Sequence, residues 1–214
     1  MTPEKAISER FERTMSLVRP PKVDRTGDLL QEIIRAYSEK HRFYHNLTHL
    51  LYGFKVLDEV MAKYPGVGSV ELAFWYHDIS YDTHRKDNED ISSLLAVSRI
   101  TKDLGFPREY AMLVGQLILS TDHLLDPRTR EAKVLLDIDL AILAGDTEEF
   151  DAYNQNIRRE YAWVPEDTYR AKRKEVLDGF LTRTWIFATP ELRSGPYEAK
   201  ARENIARALR QLAV

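Results

Sequence analysis

His77 and Asp78 are adjacent residues at the end of an apolar run, residues 72–76, that predicts a buried setting. A buried imidazole and carboxylate cost free energy unless a partner satisfies them, and a divalent cation is such a partner. His49 upstream and Asp139 downstream supply two more potential ligands. The order His, His-Asp, Asp therefore predicts a metal site made of nitrogen and oxygen ligands.

Asp139 lies in a segment whose pattern predicts a buried side chain. On a helix, the residues three and four positions away share its face, and all four are apolar. These neighbours are Leu135, Leu136, Ile142 and Leu143. Asp137 has Lys133 in one of these positions, so we expect it nearer the edge of the core. A lone buried aspartate is held by a cation or, in the alternative, by a backbone amide or an arginine.

His45 precedes His49 by four residues, which places the two imidazoles on one face of a helix. Such a pair can bind zinc by itself, but the glutamate that the zinc-protease motif requires is missing. We therefore expect one of the two as a ligand and the other beside the site, near the substrate. In the alternative, His45 is only a residue at the entry of the helix.

The composition limits the class of protein. The chain has 214 residues, 43% of them hydrophobic and 30% charged, which is usual for a soluble globular domain. It has no cysteine, which excludes disulfides and thiolate zinc sites. A net charge of −3 argues against a nucleic-acid binder. Neither a signal peptide nor an apolar stretch of about 20 residues is found, so we expect a cytoplasmic protein without membrane contact.

The hydrophobic pattern is helical along the whole chain, and alternating strand patterns are missing. Asn46 is a predicted helix cap, and Asp146 with Glu149 predicts another. The predicted helices cover residues 27–39, 46–64, 70–77, 88–104, 107–120, 132–144, 146–163, 165–181 and 197–212. We expect one all-α domain, residues 1–214, with a metal-binding core at about 26–145 and a C-terminal helical extension at about 146–214.

Three segments that carry the candidate ligands resemble a known family. They are Tyr44-His45-Asn46-Leu47-Thr48-His49, Phe74-Trp75-Tyr76-His77-Asp78 followed by Tyr81-Asp82, and Leu136-Asp137-Ile138-Asp139-Leu140. They resemble the HD superfamily, in particular a bacterial group of predicted metal-dependent phosphohydrolases, and the resemblance covers about residues 8–212. It implies an HD-type helical bundle, a divalent metal and hydrolysis of a phosphate ester or anhydride. The implied metal ligands are His49, His77, Asp78 and Asp139.

The residue types also suggest roles in such chemistry. The ligand set suits Mn²⁺, Fe²⁺, Co²⁺, Ni²⁺, Zn²⁺ or Mg²⁺, and a bound cation acidifies water and holds a phosphoryl oxygen. Asp82 is the first candidate for proton transfer because it lies one turn from Asp78 if the helix continues; in the alternative it is a turn residue. His45 and His84 are further catalytic candidates. The substrate-binding candidates are Arg42, Arg159, Lys86 and His123.

Three functions compete on this basis. The first is a phosphohydrolase that acts on a small phosphorylated molecule, including a nucleotide. The second is a non-catalytic HD-type module that binds a nucleotide or a metal and reports it to a partner. The third is a di-iron oxygenase of HD type, for which His84 and His123 would supply further ligands. We also allow for a homodimer.

Overall fold

A computed structural model of the protein describes residues 2–61, 67–122 and 127–212. Helices make up most of these ranges, and no strand occurs within them, which confirms the all-α prediction. The helices are α1 (Pro3–Val18), α2 (Thr26–Tyr37), α3 (Leu47–Met61), α4 (Val67–Tyr76), α5 (Asn88–Lys102), α6 (Arg108–Leu119), α7 (Arg130–Asp139), α8 (Thr147–Glu160), α9 (Glu166–Thr182), α10 (Pro190–Arg193) and α11 (Pro196–Leu212). Residues Leu140–Ala144 form a 3₁₀ helix between α7 and α8. None of the described helices is long and apolar enough to cross a membrane.

The predicted caps are present. The Asn46 side chain accepts a hydrogen bond from the Thr48 amide at 2.8 Å, and Asp146 and Glu149 form a reciprocal capping box at the start of α8. The sequence pattern did not predict α1 or the short α10. The single helix predicted at 132–144 is wrong in detail, since α7 ends at Asp139 and a 3₁₀ helix follows. The predicted end of α3 near Tyr64 lies outside the described residues.

Helix α4 is the centre of the molecule. Every residue from Ser69 to Tyr76 is buried, and a helix that is apolar on all sides needs neighbours on all sides. Helices α1, α3, α5, α6 and α7 all pack against it. Because α4 leads directly into His77, this packing carries His77 and Asp78 into the interior.

A buried ion pair joins α1 to α4. The Arg10 guanidinium donates to Glu71 at 2.7 Å, and the Thr14 hydroxyl donates to the same carboxylate. The Trp75 indole nitrogen donates to Thr14 at 3.0 Å, which completes the network. Burial raises the pKa of Glu71, and the contacts with Thr14 and Arg10 oppose that rise. Helix α1 is therefore part of the same core, although it precedes the predicted metal-binding segment.

The C-terminal extension is fastened to the core by buried polar contacts. The Asn204 amide on α11 donates to the carbonyl groups of Leu143 and Gly145 at 3.0 and 2.9 Å. Asp137 accepts hydrogen bonds from the amides of Ala188 and Thr189 at 2.6 and 2.7 Å. The expectation that Asp137 lies nearer the edge is wrong: it is only 1% exposed, because it binds the segment that precedes α10.

Candidate metal centre

Three separate segments bring the predicted ligands together. His49 lies in the first turn of α3, His77 and Asp78 directly follow α4, and Asp139 is the last residue of α7. The two histidines are almost fully buried, and the two aspartates are only slightly exposed. Helix ends suit this task because the chain can turn there, and each side chain reaches the same point from a different direction.

The ligand atoms lie at spacings that fit one cation. His49 Nε2 and His77 Nε2 are 3.1 Å apart, and each is 3.3 Å from Asp139 Oδ1. His77 Nε2 is also 3.1 Å from Asp78 Oδ2. With metal–ligand bonds of about 2.0–2.2 Å, neighbouring ligands of a tetrahedral or octahedral ion lie about 3.0–3.5 Å apart. His49, His77 and Asp139 can thus hold a metal ion.

The second ring nitrogen of each histidine is held by the protein. His77 Nδ1 donates to the carbonyl oxygen of Phe74 at 2.8 Å, and its ring is stacked on the Phe74 ring. His49 Nδ1 is 3.1 Å from the Tyr44 hydroxyl. A proton on Nδ1 leaves the Nε2 lone pair for a cation, and such a contact fixes the orientation of the ring. The supporting residues of a metal site are therefore in place.

The electrostatics of the cluster show a strong need for positive charge. Burial pushes the pKa of Asp139 upward, but hydrogen bonds and charge from His49 and His77 hold it well below its ordinary value. Burial lowers the pKa of His77, yet Asp78 and Asp139 raise it well above its ordinary value. The pKa of His49 is lowered, mainly by burial. The two carboxylates thus favour a positive charge at His77, and a cation bound to the deprotonated imidazole would supply the same charge.

The ligand cluster borders a cavity of about 540 Å³, which we call the metal cavity. His77, Asp78 and Asp139 line it together with His45. Four basic residues also line it, namely Arg85, Lys86, Lys172 and Arg173. The tyrosines in its wall are Tyr81, Tyr153, Tyr161 and Tyr169. Because α8 and α9 supply part of the wall, the C-terminal extension completes the cavity that the core begins.

Glu160 is a residue of this site that sequence reasoning missed. Its Oε1 accepts hydrogen bonds from the amides of Phe43, Tyr44 and His45 at 2.7, 2.7 and 2.9 Å. Its Oε2 is 2.7 Å from His45 Nδ1 and accepts from the Tyr81 hydroxyl at 2.8 Å. A single carboxylate at the end of α8 thus holds the turn before α3 and leaves His45 Nε2 for the metal cavity.

His45 itself is not on the helix of His49. It lies in the turn before α3, with its ring centre 5.7 Å from that of His49. It also stacks on Tyr81 at 4.2 Å between ring centres. Burial lowers the pKa of His45, but Glu160, Asp78 and Asp139 together outweigh burial and raise it. The predicted position beside the ligands is therefore correct, whereas the shared helix face is not.

Arg42 binds backbone carbonyl groups, and the predicted contact with a phosphate has no support in this geometry. Its side chain is fully buried, and its guanidinium donates to the carbonyl oxygens of Asp78 and Ile79 at 2.6 and 3.1 Å. Its Nε donates to Glu39 at 2.9 Å. These acceptors occupy the guanidinium, and Arg42 does not line the metal cavity. It holds the backbone of the His77-Asp78 segment after α4 ends.

Asp82 and His84 lie away from the ligands. The chain leaves the helix after Tyr76, so Asp82 is not one helical turn from Asp78. Both residues are exposed to solvent and paired with each other, with Asp82 Oδ1 3.0 Å from His84 Nδ1. They line a neighbouring cavity, in which the His84 ring stacks on Trp163. The turn alternative is thus correct for Asp82, and the catalytic roles predicted for both residues have no support in this geometry.

The remaining substrate-binding candidates differ in position. Lys86 lines the metal cavity. Arg159 is exposed, lies over the Phe43 ring at 3.8 Å and does not line that cavity. The guanidinium of Arg159 also donates to Asn156 at 3.1 Å. His123 lies outside the described residues, so its predicted role stays a prediction.

The geometry thus defines a candidate metal centre at the edge of a cavity. In residues 2–61, 67–122 and 127–212, His49, His77 and Asp139 are the one group of three or more potential ligands that lies together. Their nitrogen and oxygen atoms suit a divalent ion of borderline hardness. Comparisons with protein-family models, with curated proteins and with solved structures find no match for this chain.

Proposed function

We propose that the protein is a metal-dependent phosphohydrolase that removes phosphate from a small organic molecule. The observation that carries this proposal is the position of the ligand cluster, which borders a cavity also lined by four basic side chains. A cation beside several basic groups is the arrangement that phosphate chemistry requires. Membership of the HD superfamily is part of the same proposal, and the order of the ligands on helices supports it.

Asp78 is proposed as the fourth ligand, next to His49, His77 and Asp139. Its Oδ2 lies 3.1 Å from His77 Nε2, within the spacing expected for atoms that share one ion. Two imidazoles and two carboxylates fit Mn²⁺, Fe²⁺, Co²⁺, Ni²⁺ or Zn²⁺, and Mg²⁺ is the harder alternative. When bound, such a cation acidifies water and neutralises charge on the phosphoryl group.

Lys86 is the basic residue best placed to bind the phosphate. Arg85 is held by Asp87 through two hydrogen bonds, of 2.9 and 2.7 Å. Arg173 donates to Asn154 at 2.7 Å, and Lys172 forms an exposed pair with Glu175. An exposed ion pair is weak, so Lys172 can turn toward a phosphate at little cost.

His45 is proposed to move the proton. Glu160 holds its Nδ1, which fixes the ring and leaves Nε2 as the atom that gives or takes a proton in the cavity. A histidine oriented by a carboxylate is a common general acid or base. Here the carboxylate is itself fixed by three backbone amides, so the ring has little freedom to turn.

A screen of phosphate release tests this function. The purified protein is loaded with each divalent ion in turn and incubated with phosphomonoesters, nucleotides and sugar phosphates. We expect release with at least one ion, and we expect Asp139→Asn to abolish it because a ligand is lost. If no ion supports release from any compound, the non-catalytic binding module replaces this proposal.

The di-iron oxygenase has less support. It requires further ligands beside the first ion, and His84 was one of the two candidates. His84 is instead paired with Asp82 and stacked on Trp163 in the neighbouring cavity. His123, the other candidate, lies outside the described residues. The mononuclear hydrolase therefore fits the described residues better.

A further inference from the structure

One face of α9 forms a wall of the metal cavity that changes in character along its length. Tyr169, Arg173, Val176 and Phe180 all line the cavity, and their spacing places them on one stripe of the helix. The polar members come first and the apolar members follow. At a rise of about 1.5 Å per residue, the stripe from Tyr169 to Phe180 is longer than a single phosphate group.

Further apolar residues from other elements meet the apolar end of this stripe. Ile157 on α8 and Leu140 in the 3₁₀ helix also line the cavity. Leu140, Ile157 and Phe180 are buried, whereas Val176 is 50% exposed. A half-exposed valine in a cavity wall offers apolar surface that a ligand can cover. The cavity volume of about 540 Å³ is in the range of cavities that bind whole organic molecules.

Asn88 and Thr121, two neutral polar side chains of this wall, are engaged by the protein. Asn88 donates to the Asp82 carbonyl oxygen at 2.9 Å and accepts from the Asp82 amide at 3.1 Å. The Thr121 hydroxyl donates to the Ile118 carbonyl oxygen at 2.7 Å. A site that reads a nucleobase needs amide-type donors and acceptors, and the Asn88 amide already binds the backbone of Asp82. Glu89 and Asp122 also line the cavity and offset part of the positive charge of its four basic residues.

We infer that the substrate is a phosphomonoester of an apolar or aryl alcohol, with its organic part against Ile157, Val176 and Phe180. This inference rests on the proposed function and names the substrate class of the same site. The single phosphate lies at the metal ligands and Lys86. Val176 is then a specificity-determining residue, because it offers the exposed apolar surface of the wall.

Calorimetric binding of alkylphosphonates, which are not hydrolysed, tests this inference without any turnover. Methyl-, butyl- and hexylphosphonate are titrated into the metal-loaded protein, with inorganic phosphate and a nucleoside monophosphate as references. We expect affinity to rise about two- to fourfold for each methylene that becomes buried. Hexylphosphonate should also bind more tightly than the nucleoside monophosphate. A flat series, or tighter binding of the nucleotide, overturns the inference but leaves the proposed function standing.

Variants of Val176 distinguish binding of the organic part of the ligand from binding of its phosphonate group. Val176→Asp should weaken hexylphosphonate by about tenfold or more and change methylphosphonate by less than about twofold. Leu94→Asp is the matched control, since Leu94 is an exposed apolar residue on α5 that does not line the cavity. It should bind both compounds as the unchanged protein does. If Val176→Asp does not fold, Val176→Thr replaces it, because threonine has nearly the same shape as valine. This variant should reduce the rise in affinity with each methylene of the alkylphosphonate.

Two further outcomes are decisive. Equal weakening of methyl- and hexylphosphonate by Val176→Asp contradicts the inference, because the residue would then act on the phosphate end. Failure of inorganic phosphate and of every phosphonate to bind contradicts the proposed function itself. The two failures can therefore be told apart in one experiment.

Discussion

His49 Nε2 and His77 Nε2 lie 3.1 Å apart, although α3 and α4 carry the two residues to this point separately. Two imidazole nitrogens at this distance repel each other if both present lone pairs, so a proton or a cation must lie between them. Asp139 Oδ1 lies 3.3 Å from both and adds negative charge. The pair is therefore arranged around a positive charge.

A divalent cation should stabilise the folded protein through these ligands. A ligand that binds only the folded state adds about 2.7 kcal/mol to the free energy of unfolding at a concentration of 100 times its dissociation constant. We expect the melting temperature to rise with Mn²⁺, Co²⁺ or Zn²⁺ in a scanning fluorimetry experiment. His49→Ala should lose most of this rise. An equal rise in the variant would place the ion elsewhere.

Arg42→Ala should destabilise the fold and not merely weaken substrate binding. The change leaves the carbonyl oxygens of Asp78 and Ile79 without their buried donor, which should lower the free energy of unfolding by about 3 kcal/mol. Arg159→Ala is the control, because that guanidinium is exposed, and we expect a loss below about 1 kcal/mol. Urea unfolding measures both. Equal, small losses would restore Arg42 as a candidate for phosphate binding.

Glu160 should add an acid-dependent contribution to stability. Burial tends to raise its pKa, but hydrogen bonds from His45 and the backbone amides outweigh burial and lower it from 4.5 to about 2. The folded state thus favours the ionised form, so the contribution is complete above pH 4.5 and is lost as the pH falls through about 2. It amounts to about 3 kcal/mol in total.

Urea unfolding at a series of pH values from neutral to about pH 2 measures this contribution. The unchanged protein should lose stability steeply below about pH 4.5. Glu160→Gln should be less stable at neutral pH, because the amide cannot accept from every donor around it, and its stability should fall less steeply in acid. If the free energy of unfolding fell in parallel with pH for the two proteins, Glu160 would not be the group that causes the loss of stability in acid.

His45 and Asp82 should differ in their effect on turnover. His45→Ala should lower the rate of phosphate release by about 10²–10⁴, the usual range for one acid–base group. Asp82→Asn should change it by less than about tenfold, since Asp82 lines the neighbouring cavity and is paired with His84. The metal content of both variants serves as the control. A large loss in Asp82→Asn alone would return the catalytic role to Asp82.

The sequence predicted that the candidate ligands meet in the interior because their neighbours are so apolar. A carboxylate among four leucine or isoleucine neighbours, as for Asp139, has few options in a folded chain. Glu160 gave a weaker signal of this kind, because Ile157 precedes it by three residues but the polar Asn156 precedes it by four, and α8 ends at Glu160. The sequence instead favoured Arg159, which lies within the stretch that resembles the HD superfamily, whereas the adjacent carboxylate of Glu160 contacts His45.

The wrong predictions for Asp82 and Asp137 share one physical cause. Local sequence patterns do not show where a helix ends inside the core. Helix α4 ends at Tyr76, where Arg42 takes over the backbone carbonyls that follow. That partner lies 36 residues from Asp78 in sequence, and no local spacing predicts the contact. After α4 ends, the chain therefore carries Asp82 away from the ligand cluster. Asp137 was misplaced for the same reason, since its partners Ala188 and Thr189 lie 51 and 52 residues away in sequence.

Metal content measured by elemental analysis is the most direct test of the central claim. The protein is expressed in medium with trace divalent ions, purified without chelator, and compared with His77→Ala and with Asp82→Asn. We predict about one divalent ion per chain in the unchanged protein and in Asp82→Asn, and less than about a tenth of that in His77→Ala. Equal metal content in all three proteins, or none in the unchanged protein after reloading with each ion, would contradict the account.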